Sequence, residues 1–223
     1  RRSIRNNYDP YLIVFNRLEH YIAMNKIPDK AEIIIQGGTF TFFPKAYQEY
    51  FVKYSLKAMN DFSRLFFDEN GGIEIEKFKN FFEPEDWGKD DENRTKSVQN
   101  KLQIIKHKNL SNEIELDKIN NLIDSKDFGN KKDYPLNNNN IKINTSKDIN
   151  KNSNMDFNNK NFENNETNAN VAAIKNIQKK LEIENNIELS LQEIQKENET
   201  SIIRCVGLTI ETKSDFGKLY HGN

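Results

Sequence analysis

The chain has 223 residues, enough for one large domain or two small ones, and its hydrophobic share of 35% falls below the ~45–50% usual for soluble domains. A net charge of -1 and a pI of about 6.4 exclude a global field that would draw nucleic acid to the whole surface. The single cysteine, Cys205, excludes an intramolecular disulfide and a CxxC-type metal site within this chain. No stretch approaches the ~18 apolar residues of a membrane span, and no signal-peptide pattern is present. Apolar residues are dense over residues 8–67 and thin out from about residue 88 to 170. Only part of the chain can therefore build a core.

The basic start, Arg1-Arg2-Ser3-Ile4-Arg5, reads as a solvated terminus or as a phosphate contact. Asp9-Pro10 is a helix opening, with Asp as N-cap and Pro at the first helical position. Tyr11, Phe15, Leu18 and Ile22 then recur at three- and four-residue spacing and predict one apolar helix face. Lys26 suits the last turn, and Ile27-Pro28 ends the helix. Lys30 to Gln36 is short, aliphatic and glycine-terminated, which predicts a buried strand. Pro44 opens a second helix, with Tyr47, Phe51, Tyr54, Ala58 and Phe62 along its buried side.

From about Asp68 the pattern loosens. The stretch "DENGGIEIEKFKNFF" invites an EF-hand reading, but a loop starting at Asp68 puts Ile73 at the sixth position and Lys79 at the twelfth. The required glycine and bidentate glutamate are missing, so this is not a calcium loop. Residues 130–170 hold 16 asparagines among 41 residues and are expected to be disordered. Helical periodicity returns from Val171 to Ile194. "IIRCVGLTIETKSDFG" then predicts an interior parallel strand, with Cys205, Gly207 and Thr209 alternating against Val206, Leu208 and Ile210.

The expectation is one α/β unit, residues 1–67 and 196–223, interrupted by an Asn/Lys-rich insertion at 68–195 with some helix, mostly peripheral or disordered. With no initiator methionine, and ending just after a strong strand, the chain reads as a piece of something longer.

Candidate chemistry gathers at the strand ends, where parallel sheets place ligands. Gly37-Gly38-Thr39 closes the first strand with bare backbone, which is either a tight strand-to-helix turn or a site where main chain meets a ligand. The second strand ends in Glu211, Thr212, Lys213 and Asp215. One bare end and one acidic end could together grip an ammonium group. His20, His107 and His221 show no ligand spacing and read as structural. Trp87 reads as part of a satellite core, with base stacking as the alternative.

Three blocks, "YDPYLIVFNRLE", "DKAEIIIQGGTFTFFPKAYQEYFVKYSLKAMN" and "NETSIIRCVGLTIETKSDFG", resemble consecutive parts of the Elongator catalytic-subunit family. The resemblance covers about residues 1–67 and 196–223 and rests most specifically on "GGTF" paired with "VGLTIET". It implies a fragment of a partial TIM-type barrel of the radical S-adenosylmethionine (SAM) kind. It also implies a tRNA wobble-uridine acyltransferase that uses SAM, a [4Fe-4S] cluster and acetyl-CoA to form carboxymethyluridine.

By the same resemblance Gly37, Gly38, Thr39 and Glu211 would contact SAM, and Arg1, Arg2, Arg5 and Lys213 are candidates for tRNA contact. The cluster cysteines of the family would lie upstream of Arg1. Implied partners are tRNA and either other Elongator subunits or a second copy of the chain, in the cytoplasm and away from membranes. The family's "ETRPDYC" stands here as "ETKSDFG", so an arginine and a proline are replaced by Lys213 and Ser214. A non-catalytic remnant, a split subunit with a tRNA-binding or assembly role, and a different radical SAM enzyme are the alternative readings.

Overall fold

Asp9 caps the first long helix as its chemistry dictates: one carboxylate oxygen accepts the main-chain N–H groups of Tyr11 and Leu12 at 2.9 and 3.3 Å. The computed structural model describes residues 2–37, 39–82, 91–124, 128 and 189–213, all within one compact unit. In chain order these form α1 (Arg2–Arg5), α2 (Pro10–Ala23), β1 (Lys30–Ile35), a 3-10 turn (Phe40–Phe42) and α3 (Lys45–Phe66). Then follow α4 (Ile75–Phe82), α5 (Asp91–Lys106), α6 (Glu113–Asp124), α7 (Leu191–Asn198) and β2 (Arg204–Ile210).

The helix α2 ends sooner than the sequence led one to expect. Its last turn closes at Ala23, because Asn25 takes a left-handed backbone (φ 56°) and Lys26 donates back to the Tyr21 carbonyl at 2.9 Å. Asparagine tolerates that conformation and stops the helix, so Lys26 lies beyond it.

Tyr11, Leu12, Phe15, Leu18 and Ile22 of α2 are all buried, as the spacing required. They meet the second half of α3: Tyr11 donates its hydroxyl to Asp61 at 2.8 Å, and the Phe15 ring lies 5.4 Å from Phe62. The two strands pair in parallel, Lys30 opposite Arg204 and Ile35 opposite Ile210. The helix α3 runs back across this pair. Near its start Thr41 bonds Thr212 beyond the end of β2, and near its finish Ser63 accepts the N–H of Ile203 ahead of β2. Strand, antiparallel helix and parallel strand form an α/β crossover unit.

One expectation about β2 needs correction. Strict alternation would put Cys205, Gly207 and Thr209 on one face, but the register shifts between Ala31 and Glu32, leaving Val206 as an extra residue. Cys205 stays opposite Ala31 and packs toward the core, whereas Gly207 and Thr209 lie on the face of Glu32. A bulge of one residue reverses the facing of everything after it. The outer face is not covered as an interior strand would be: Ile34 is 52% exposed and Val206 64%.

The second correction concerns the described residues of 68–82 and 91–124, whose helices are not peripheral. Phe78, Phe81 and Phe82 of α4, Leu102 and Ile105 of α5, and Ile119 and Ile123 of α6 all join the single buried cluster. Phe62 and Phe66 of α3 sit within 5.3–6.4 Å, ring centre to ring centre, of the α4 phenylalanines. The physical reason is density: a few aromatics at helical spacing bury as much surface as many aliphatics. The asparagine-rich stretch 130–170, Trp87 and His221 lie outside the described residues.

The chain returns from α7 into β2 through a buried polar clasp. Asn198 donates to Asn60 Oδ1 (2.7 Å) and the Ile203 carbonyl (3.2 Å), and its own Oδ1 accepts the Cys205 N–H (2.7 Å). Asn60 in turn donates to the Ile194 carbonyl at 3.1 Å. The start of α7 is fixed by a capping box, with Ser190 and Glu193 each bonding the other's backbone.

Candidate functional site

Parallel pairing brings the ends of β1 and β2 to one edge. There the Glu211 N–H donates to the Ile35 carbonyl at 3.0 Å, carrying the ladder one residue past the strand. Gln36 and Glu211 follow the paired residues Ile35 and Ile210, and the Gln36 amide donates to the Glu211 carboxylate at 2.9 Å. Both are exposed. Directly after Gln36, Gly37 adopts φ 102°, a region that disfavours any side chain, and a Cβ built there would meet nothing within 4 Å. So the glycine is demanded by the backbone and leaves open space beside it. Farther up the same face, Thr209 donates to Glu32 at 3.3 Å, and Glu32 packs over Gly207.

The other side of the edge is a pinned turn. Thr39 is half-buried and its carbonyl accepts the Phe42 N–H at 2.9 Å, while the Phe43 N–H bonds the Phe40 carbonyl at 3.1 Å. Gln48 of α3 donates to the Thr41 and Phe43 carbonyls at 3.3 and 2.7 Å. Thr41 and Thr212 share a hydrogen bond of 2.9 Å, which joins the turn to the end of β2. Lys213, exposed, follows directly. Tyr47 packs on Phe43 with ring centres 5.0 Å apart. Burial first, and the charge of Asp9 second, push its phenol above the ordinary range, so it stays neutral.

The structure thus gathers Gly37, Thr39, Glu211 and Lys213 at one edge. Gly38 and Arg1 lie outside the described residues. Arg2 and Arg5 are exposed on α1, and Arg5 is engaged with α5: it donates to Thr95 at 3.0 Å, and its carbonyl accepts the Gln99 amide at 2.7 Å. Gln36, Thr41 and Gln48 belong to the site and were not singled out by the sequence. Gln36 could have been found, since it extends the Glu32, Ile34 face by one step of two. Its partner could not, because register across 175 residues is invisible in one sequence.

Among the described residues no group of three or more His, Cys, Asp or Glu could hold a metal ion. The Cys205 thiol donates to the Gly207 carbonyl at 3.3 Å, within its own strand. His20 bonds the Asn16 carbonyl one turn earlier in α2. No helix among the described residues is long and apolar enough to cross a membrane.

No protein-family profile matches the chain, and no solved structure matches it. Curated proteins do. Elongator complex protein 3 of Bos taurus is 42% identical over 52 residues, 23% of this chain and 10% of that protein. The tRNA uridine(34) acetyltransferase of Methanocaldococcus infernus is 42% identical over 60 residues, 27% of this chain and 11% of its own length. Elongator complex protein 3 of Saccharomyces cerevisiae is 37% identical over 68 residues, 30% of this chain and 12% of that protein. The chain therefore aligns with only about a tenth of the length of these relatives. Within that span, from cattle to yeast to an archaeon, the chain is related to the family of Elongator complex protein 3 and the tRNA uridine(34) acetyltransferases.

Proposed function

We propose that this chain supplies a substrate-gripping edge to an enzyme that modifies uridine in tRNA by acyl transfer. The names of the relatives support the substrate class and the transferase class. The observation that carries the reading is the arrangement at the edge: Gln36 at the end of one strand holds the solvent-open Glu211 at the end of its neighbour, and a bare, positive-φ Gly37 follows Gln36 directly. That combination suits an amino-acid moiety, whose ammonium needs a carboxylate and close main-chain acceptors.

The finer reading is that the moiety belongs to SAM, held by Gly37, Gly38, Thr39 and Glu211 in a TIM-type barrel segment. When bound, SAM would supply the radical precursor, and acetyl-CoA the two carbons of a carboxymethyl group at the wobble position. The role of this chain's residues is narrower. Glu211 neutralises the ammonium, Gln36 fixes the carboxylate's orientation, and Gly37 lets the ligand lie against main chain. The described residues do not supply the thiolates that a [4Fe-4S] cluster needs. Lys213 sits where a tRNA phosphate could be met, Arg2 and Arg5 stand exposed on α1, and Arg1 precedes them in the sequence as a further candidate.

Equilibrium dialysis of the full-length protein with SAM tests the reading. The parent should bind, and Glu211→Gln should weaken binding by about 1.5–3 kcal/mol, the range for charged hydrogen bonds. Nucleoside analysis of tRNA incubated with SAM and acetyl-CoA should show carboxymethyluridine for the parent. Unchanged SAM binding in Glu211→Gln would remove this edge from the SAM site.

A further inference from the structure

The link between α1 and α2 holds a tyrosine in a backbone conformation that does not suit it. Asn7 and Tyr8 are both left-handed, with φ 53° and 57°. Asparagine tolerates that region, but for a bulky residue it is a steric outlier. The turn is fixed rather than loose. Tyr8 donates its N–H to the Ser3 carbonyl at 2.7 Å, Asn7 to that of Ile4 at 3.2 Å and Asp9 to that of Asn6 at 2.9 Å. Asn6 is buried, and its side-chain amide and main-chain N–H both bond the Arg2 carbonyl, at 3.0 and 3.1 Å.

Burial does not offset this strain. Tyr8 is 51% exposed, its hydroxyl makes no hydrogen bond, and its ring meets no other ring or cation among the described residues. A glycine would make the same turn without strain. The charges beside the ring are equally uncommitted. Arg2 and Arg5 stand three residues apart on one face of α1, both exposed. Arg5 donates one hydrogen bond, to the uncharged Thr95 at 3.0 Å, and neither arginine meets a carboxylate among the described residues. The adjacent acid, Asp9, is turned inward: its side chain is 11% exposed, paired with Lys106 at 2.9 Å and bonded to the start of α2.

We propose that Tyr8 stacks on an unpaired base of the RNA substrate and that Arg2 and Arg5 take the phosphates beside that base. Bases of single strands stack on aromatic side chains and their backbone is anionic, so the ring and the two charges fit one ligand. The turn is already fixed, so little ordering opposes binding. Backbone strain tends to persist where the surrounding structure holds a side chain ready for a ligand. The proposal rests on the tRNA reading above and adds to it a nucleotide contact on the α1–α2 link.

Fluorescence anisotropy of the full-length protein with a uridine-containing anticodon stem-loop, over a series of salt concentrations, provides the test. Tyr8→Gly should weaken RNA binding roughly five- to a hundredfold, the span of stacking on one aromatic, without changing the salt dependence. Its urea midpoint should not fall, because glycine relieves the left-handed strain. Tyr8→Phe should bind like the parent. Arg2→Ala should reduce the slope of log affinity against log salt by about 0.7, the share of one phosphate on a single strand. SAM binding by dialysis should not move in any of them. Equal RNA affinity for the parent and Tyr8→Gly would overturn the stacking contact while leaving the tRNA reading intact. No RNA binding by the parent would overturn both. A sharply lower midpoint in Tyr8→Gly would make the ring a packing element and defeat the proposal. So would an altered oligomeric state with RNA affinity kept, which would assign the ring to a protein interface together with Ile4, 64% exposed on α1.

Discussion

Gln36 and Glu211, 175 residues apart in the chain, are joined side chain to side chain at 2.9 Å across the edge of a two-stranded parallel sheet. Both are exposed, so the bond contributes little to stability; surface substitutions usually stay within about ±0.5 kcal/mol. Its importance is orientation. Gln36→Ala should leave urea unfolding of the protein nearly unchanged while weakening SAM binding less than Glu211→Gln does. Equal losses in both variants would mean that Gln36 contacts the ligand itself.

Gly37 should resist replacement for a reason unconnected with space. Its φ of 102° strains any side chain, and nothing stands within 4 Å of a built Cβ. Gly37→Ala should therefore cost about 1–2 kcal/mol of stability through the backbone alone. Chemical denaturation checks this, and a cost near zero would show that the turn relaxes to a negative φ.

The helix α4 should behave as core. Phe82 is fully buried against Phe62, Phe66, Phe78 and Phe81. Phe82→Ala should cost about 3–5 kcal/mol, as for a core aromatic. Deleting residues 130–170 should leave the stability of the rest almost unchanged, since little apolar surface goes with so asparagine-rich a stretch. Denaturant midpoints of the two variants decide the matter, and a small effect of Phe82→Ala would return α4 to the periphery.

Asp61 makes stability depend on pH in a definite direction. Burial raises its carboxyl above the usual range, against the lowering effect of the Lys57 ammonium at 2.6 Å and the Tyr11 hydroxyl at 2.8 Å. A raised folded value means that its contribution is complete below the unfolded carboxylate range and is lost as pH rises through the folded value. The stability gap between the parent and Asp61→Asn should thus shrink as pH rises from about 4 toward neutrality. Urea titrations at several pH values measure it. A gap that widens would mean that Lys57 holds Asp61 ionised.

What could be read from one sequence follows the range of the interactions involved. The Asp9 cap, the apolar face of α2 and the buried side of α3 are local patterns, and each is present as spaced. The parallel pair was legible from two short aliphatic runs, and so was the gathering of Gly37 and Glu211 at one edge. The bulge at Val206 was not, because an extra residue on one strand leaves no mark until its partner is known. Some helix in this region was legible, but the burial of α4, α5 and α6 was not, since their polar residues dilute the average, while Phe78, Phe81 and Phe82 carry the burial. Charges hid part of the core as well: Lys101 is nearly fully buried, its ammonium bonded to the Phe81 carbonyl at 2.9 Å. Composition counts such a residue as surface; its long stem packs as a hydrophobe.

The clasp around Asn198 gives the candidate site a mechanical meaning. β2 is strung along one helix like a cord on a bow, fastened to Ser63 and Asn60 near the far end of α3 and, through Thr212, to Thr41 just before its near end. With 22 residues, α3 is about 33 Å long and stiff, so the spacing of the two fastenings is not adjustable. Slippage of β2 by one residue would carry Glu211 about 3.3 Å along the strand and turn it to the opposite face. The register that sets Glu211 against Gln36 is therefore held at both ends of the sheet, by Asn60, Asn198 and Ser63 at one and by the Thr41–Thr212 bond at the other. Loosening either fastening would blur how the two strand ends meet a ligand, even where no residue at the edge itself is changed.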